Sequence, residues 1–580
     1  MHHMNKPDQH AGVVQRLDRL YEFDRRPVSK DKLCSWGYFA GSYAGEHVAA
    51  TEFVIGALFV TWGASVLDVI VGLAIGNLLA VLSWALVCAP IATQTRLTLY
   101  WYLRKIGGPV LTVIYNVLNA LLFCVLAGCM ITVSASAVRI PFGIPPQTQW
   151  YPTDAGFVIA VCIVGAVVVW LAIAGFKRLA AFATICSPWM LLMFIAGALV
   201  MLPALGEATG VGSVRSFSQF WEMSEQAVWT GRTPNGGPPL IGFWHVAAFA
   251  WICNLAMHMG LSDMAILRYA KHASYGLFSA FGMLLGHYVA WIAAGVMGAG
   301  AALALKTPLT ELDSGAVAHQ ALGVSGAIAV VIAGWTTSNP TLYRAGLALQ
   351  AITPDWPRWV VTLVVGVITT IVACFPFVFT ELLNFVGIYG LLLVPAGAIV
   401  MAEHWLFPRI GLNRYWAHHR DLILNWPALL AWIGGMTLAL GLYLTDTLHL
   451  FFLFLPVYVL TVVLYIVLAS VAGARSQINQ SMGDETESEE HPRTDDDQQE
   501  ANESETASRR HRAAAFWISG PFALAALIVC AAFAVHVYLA TPSDYADRLA
   551  WFKGWLIVPT LVYFVAATYW QVQRMRSRAQ

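Results

Sequence analysis

Charge is what this chain has least of. Lys, Arg, Asp and Glu make up 11% of its 580 residues, against roughly 25% in ordinary soluble domains. The 33 basic residues balance the 33 acidic ones, and with no net field of either sign nothing argues for nucleic acid as a partner. Nine cysteines are present, and nearly all of them (Cys88, Cys124, Cys129, Cys162, Cys186, Cys253, Cys374, Cys530) fall inside apolar stretches. They form no close metal-type pair and no cluster, so they are expected to be packing residues. The N-terminal segment through Asp31 lacks the apolar core of a signal peptide, and the first hydrophobic run is expected to act as its own insertion signal. No nucleophile–base, Zn²⁺ or phosphate-loop arrangement emerges, so the chain is not expected to be an enzyme. No organic cofactor is expected either. His245 and His258 have a spacing that suits one helix of a bis-histidine haem site, but His404 and His418, the other such pair, lie across a charged, proline-containing loop.

Apolar residues are what the chain has in abundance: 58% of the sequence is hydrophobic and the mean hydropathy is +0.64. Runs of roughly 20 apolar residues recur at about 36–62, 65–90, 109–134, 156–175, 179–203, 240–262, 274–304, 322–340, 359–378, 382–402, 424–445, 449–472, 514–540 and 552–571. Fourteen such runs predict an all-α integral membrane protein, multi-pass, with the lipid bilayer as its main partner. Placing the N-terminus in the cytoplasm of a plasma or inner membrane puts Arg25, Arg26, Arg96, Arg104, Lys105, Lys177, Arg178, Arg268, Lys271, Arg344, Arg358, Arg409, Arg475 and the Arg574 to Arg578 tail on one side. The other side keeps Arg139, Arg215, Arg232, Lys306, Arg548 and Lys553. The positive-inside rule then requires an even number of spans and a cytoplasmic C-terminus as well. Between the twelfth and thirteenth runs, Asp484 to Glu505 is rich in Glu, Asp, Gln and Ser and nearly free of aromatics, which predicts a disordered cytoplasmic linker, a spacer or a docking tail.

Two of the runs, about 200 residues apart, are interrupted at their centres. One reads Gly41-Ser42-Tyr43-Ala44-Gly45-Glu46-His47 and the other Cys253-Asn254-Leu255-Ala256-Met257-His258-Met259-Gly260. Unwound backbone survives at membrane depth only where it lines a cavity, so paired broken spans point to a carrier's binding site. Glu46 and His47 fall at the first interruption, where an ionisable pair costs several kcal/mol unless hydrated or partnered. That leaves two roles open, packing against a neighbouring donor or contact with a substrate or proton. Glu52 lies roughly 240° further around a continuous helix, facing either the vestibule or another helix. His258 reads equally as an interior hydrogen-bonding residue or as a ligand. The eighth run ends in Ala333-Gly334-Trp335-Thr336-Thr337-Ser338-Asn339-Pro340, whose hydroxyls and free carbonyls are hard oxygen donors of the kind Na⁺ takes, although threonines also bond back to their own helix.

The segment Trp335-Thr336-Thr337 followed by Leu342-Tyr343 and Ala345-Gly346-Leu347 resembles the eighth-helix motif of the nucleobase:cation symporters, the purine, cytosine, allantoin and hydantoin permeases. Arg268-Tyr269-Ala270-Lys271 and Asn384-Phe385 with Pro395-Ala396-Gly397 resemble that family's motifs after the sixth helix and in the tenth. The resemblance implies a leucine-transporter-type five-plus-five inverted repeat with additional C-terminal spans. It divides the chain into a cytoplasmic segment 1–35, a first repeat 36–203, an external loop 204–239, a second repeat 240–402, spans 11–12 at 403–475, the acidic linker 476–513 and two extra spans with a basic tail at 514–580. It implies Na⁺ held by Gly45, Val48, Ala333, Thr336 and Thr337, and a substrate site at Phe123, Asn254 and Asn339, to which the broken spans add Glu46, His47 and His258. Asp263 stands five residues before Arg268 where the family has three. The expected function is a secondary active transporter importing a nucleobase-like or other small polar nitrogenous solute with Na⁺ or H⁺. The alternative is a non-transporting sensor on a carrier fold. Oligomeric state is left open.

Overall fold

In the computed structural model, residues 26–147, 149–173, 176–475 and 505–579 are described. The N-terminal residues 1–25 and most of the expected acidic linker, 476–504, lie outside them. Among the described residues, ten helices are long and apolar enough to cross a membrane by length and composition. They are Asp68–Thr95, Leu99–Val138, Ala155–Ile173, Phe182–Ala208, Ala273–Leu305, Leu382–Arg409, Trp426–Leu444, Leu450–Ala474, Ser519–Tyr538 and Tyr545–Arg574. Helices also lie at the four remaining apolar runs and are numbered with them. Span 1 is Trp36–His47 with Thr51–Thr61, and span 6 begins with Phe243–Ile252. Span 8 is Val324–Ile352 and span 9 is Arg358–Ala373. The protein is a multi-pass membrane protein, as the hydropathy pattern predicts.

The spans sort into two packed groups. Span 1 lies against spans 5 and 7, span 2 against spans 6 and 7, and these make a bundle. Spans 3, 4, 8 and 9 pack on one another as a scaffold, with the longest shared face between spans 3 and 8. Close approach depends on small residues, because lipid tails supply no net hydrophobic drive between helices. Gly286 of span 7 faces the carbonyl of His47 with no room for a Cβ, and Gly397 of span 10 faces that of Met259 in the same way. Span 3 bends at Gly108 (φ 75°), ahead of Pro109, beneath the carbonyls of Leu422 and Ile423. The final hairpin packs on span 5: the Tyr563 hydroxyl donates to the Ile185 carbonyl at 2.6 Å and Tyr545 to that of Val200 at 2.9 Å. Its first helix begins at Glu505. The stretch between spans 5 and 6, expected as a loop, carries the helix Phe217–Ala227, opened by a reciprocal Ser216–Gln219 capping box.

Candidate functional site

Both interrupted runs are broken in the structure, but the first breaks later than its composition suggests. Gly41 to His47 is helical, and the chain leaves the helix at Val48 (φ −89°, ψ 73°) before restarting at Thr51. The small residues there serve packing, since a Cβ on Gly45 would run into Ala183 and Ser187 of span 5. Span 6 breaks at Cys253 and Asn254, resumes for one turn over Leu255–His258, and breaks again around Leu261 (φ 64°). The Ser262 amide returns to the Ala256 carbonyl at 3.1 Å, so exposed backbone groups are recaptured locally, as the absence of water at this depth demands.

A fully buried guanidinium ties the two breaks together. Arg344 Nη1 and Nη2 donate to the two oxygens of Glu46 at 2.5 and 3.1 Å, and Nη2 also donates to Asp263 Oδ1 at 2.5 Å. The other Asp263 oxygen accepts from the Tyr43 hydroxyl at 3.0 Å and from Trp84 Nε1 at 2.6 Å. Spans 1, 2, 6 and 8 therefore meet in one charge-assisted network. Arg344, Arg268 and Arg358, placed by charge counting on the cytoplasmic side, are all buried. The error for Arg344 has a plain cause: span 8 does not stop at Pro340 but continues to Ile352, because neighbouring groups can satisfy the backbone that a proline frees in a membrane helix.

Beside this network lies a cavity of about 50 Å³, room for a few waters. Glu46, His47, Glu52, Asn254, His287 and Thr337 supply its polar lining, and Ile55, Leu126, Met130 and Val386 its apolar walls. The break at Val48 to Ala50 is what brings Glu46 and Glu52 to the same cavity, whereas a continuous helix would have turned them apart. His47 Nδ1 lies 2.8 Å from the Tyr43 carbonyl, so Nδ1 carries the hydrogen and Nε2, which has no partner, keeps its lone pair. Glu52 accepts from Trp291 Nε1, with His287 Nε2 3.8 Å away. The Asn254 side-chain nitrogen has no partner.

The expected substrate residues thus separate into two groups. Glu46, His47 and Asn254 line the cavity. Phe123 is buried edge-on to Tyr389 with centroids 5.5 Å apart. His258 is held through Nε2 by the Trp251 carbonyl at 2.9 Å and packs edge-on against Trp84. Asn339 donates to the Trp335 carbonyl at 2.7 Å, leaving its own oxygen unpaired. The expected ion ligands come together in part. Thr337 Oγ1 donates to the Glu46 carbonyl at 3.0 Å and the Ala333 carbonyl at 3.1 Å, and Thr336 Oγ1 to the Ala333 carbonyl at 3.0 Å. The first-span carbonyl in contact is that of Glu46, between Gly45 and Val48. The donors are hard, neutral oxygens at the end of an unwinding helix, a set that suits Na⁺. Sequence reasoning did not assign His287, Asp263 or Arg344 to the site. Arg344 carried a usable signal, an arginine inside a run of hydroxyl and small residues; so did His287, an ionisable residue within an apolar span, which sits on the π-helical turn Leu285–Ala290.

No family model matches the sequence, and no curated protein matches it. Solved structures do match the fold. Mhp1, a nucleobase-cation-symport-1 family transporter in a closed conformation with bromovinylhydantoin bound, aligns at a TM-score of 0.61 with 17% identity, over 79% of this chain and 98% of that one. The inward-facing conformation of Mhp1 aligns at 0.57 with 17% identity, over 79% and 97%. A substrate-bound, outward-open Na⁺-coupled sialic acid symporter aligns at 0.54 with 13% identity, over 75% and 90%. The chain therefore has the leucine-transporter-type fold of two five-helix inverted repeats, with C-terminal spans added.

Proposed function

We propose that this chain is a secondary active transporter of the cell membrane, both termini cytoplasmic, importing a small polar nitrogenous solute by cation-coupled alternating access. One observation supports this above the others: a small polar cavity sits where two broken spans of the bundle face span 8 of the scaffold. Rocking the bundle over the scaffold would open such a cavity to one face and then the other. Glu46, His47 and Asn254 bind the solute in this reading, with Phe123, His258 and Asn339 shaping its surroundings. The coupling ion is assigned to the oxygens gathered at Thr337, namely the carbonyls of Ala333 and Glu46 and the Thr337 hydroxyl, with Gly45, Val48 and Thr336 completing the shell. If the ion is Na⁺, it would neutralise the carbonyl ends of the unwound helix and stabilise one conformer, and coupling follows only if solute favours that same conformer. The alternative ion, H⁺, would be carried by Glu46.

Reconstitution into proteoliposomes tests the proposal. Nucleobases, hydantoins, allantoin and small amines, offered under an inward Na⁺ or H⁺ gradient, should include a solute accumulated above equilibrium, and collapsing the gradient should abolish that accumulation. Saturable binding with no uptake under any gradient would overturn it.

A further inference from the structure

Resting on the transport reading, we propose that the solute selected by this cavity is a cation: a compact planar head of the amidinium, guanidinium or protonated amino-heterocycle class, docked on Glu52. Three carboxylates, Glu46, Glu52 and Asp263, are buried at the two breaks, and the Arg344 guanidinium is spent on Glu46 and Asp263. No Lys or Arg lines the cavity among the described residues. Glu52, 2% exposed, accepts one neutral indole hydrogen from Trp291 and lies 3.8 Å from His287 Nε2, beyond hydrogen-bond reach and an ion pair only when that imidazole is protonated. A carboxyl buried on so few partners either keeps its proton or meets a cation, and a cation entering the cavity would be held by the ionised form.

Two unpartnered groups in the same wall define what else the head presents. With Nδ1 donating to the Tyr43 carbonyl, His47 Nε2 is an unpartnered acceptor in the neutral imidazole, and the Asn254 amide nitrogen is an unpartnered donor. Both residues are more than nine-tenths buried. The complementary head therefore offers N–H groups to Glu52 and His47, and a protonated amino-heterocycle would also offer a ring acceptor to Asn254. The head would lie between the apolar side chains of Ile55, Leu126, Met130 and Val386. A metal ion fits less well: no group of three or more His, Cys, Asp or Glu able to hold one occurs among the described residues.

Isosteric probe pairs decide the matter. Purified full-length protein should bind 2-aminoimidazoline, a cyclic guanidinium, at least about tenfold more tightly than the neutral imidazolidin-2-one, and guanidinium more tightly than urea. Glu52→Gln should reduce the preference to less than about threefold. Equal or reversed preference in the wild-type protein overturns the proposal, and this comparison stands even if Glu52→Gln fails to fold. A preference that survives in a folded Glu52→Gln protein overturns the assignment to Glu52. Uptake by proteoliposomes separates the two readings. Uptake of neutral solutes without cation preference would keep transport and remove this inference, whereas tight cation binding without uptake would do the reverse.

Discussion

Arg344 carries more of the site's organisation than any residue in the cavity wall, because it holds carboxylates delivered by two different spans. Removing it leaves Glu46 and Asp263 buried without a cation, at a cost of about 3–5 kcal/mol. Arg344→Gln is expected to lower the melting temperature in detergent markedly. Arg344→Lys should fall between, since an ammonium keeps the charge but cannot reproduce the forked contact with Glu46. An unchanged melting temperature in Arg344→Gln would show that the network contributes nothing to stability. Thr337 should behave differently. Its hydroxyl bridges the Glu46 and Ala333 carbonyls, a contact worth about 1 kcal/mol to folding. Thr337→Ala is expected to leave expression and melting near wild type while weakening the Na⁺ dependence of uptake about tenfold or more, or roughly 1.4 kcal/mol. Thr337→Ser should restore it. Full Na⁺ response in Thr337→Ala would move the coupling ion elsewhere, with Glu46 next in line.

At the scale of elements, the site exists because helices are allowed to touch. Span 7 brings Gly286 against the backbone of His47, the last residue of the first half of span 1. A Cβ at that position has nowhere to go, and overpacking of this sort costs typically 1–3 kcal/mol. Gly286→Ala is expected to lower the melting temperature and to weaken solute binding, because the displaced His47 is itself in the cavity wall. Gly441→Ala in span 11, where a Cβ meets nothing within 4 Å, is the matched control and should change neither. Equal behaviour of the two variants would mean that the span 1 and span 7 contact is free to relax. The π-helical turns Trp84–Cys88 and Leu285–Ala290 each carry a residue of the site, Trp84 and His287.

For the whole molecule, the expected topology follows from where Lys and Arg fall in the short loops. Taking out the buried Arg268, Arg344 and Arg358 still leaves Arg96, Arg104, Lys105, Arg409, Arg475 and Arg574 on one side, so the bias survives. Reporter fusions within residues 476–504 and at the C-terminus are expected to report the same side as the N-terminus. A reporter that places either on the other face would require an odd number of spans and a different insertion order.

The sequence by itself determined the multi-pass, all-α character, because a bilayer core leaves backbone groups no partner outside a helix and makes a crossing a long apolar run. It also marked the two broken spans and the Thr336-Thr337 hydroxyls, since polar and small residues at that depth stand out against such runs. Only the tertiary structure decided who meets whom. The break fell at Val48 rather than within Gly41 to His47, because glycines that pack against span 5 look the same in sequence as glycines that unwind a helix. Glu52 and His287 joined the cavity, and Arg344 left the cytoplasmic side for the pair Glu46 and Asp263. Each of these depends on contacts between residues 80 to nearly 300 positions apart, and helix periodicity, which reports which neighbours share a face, holds no information about partners at that separation.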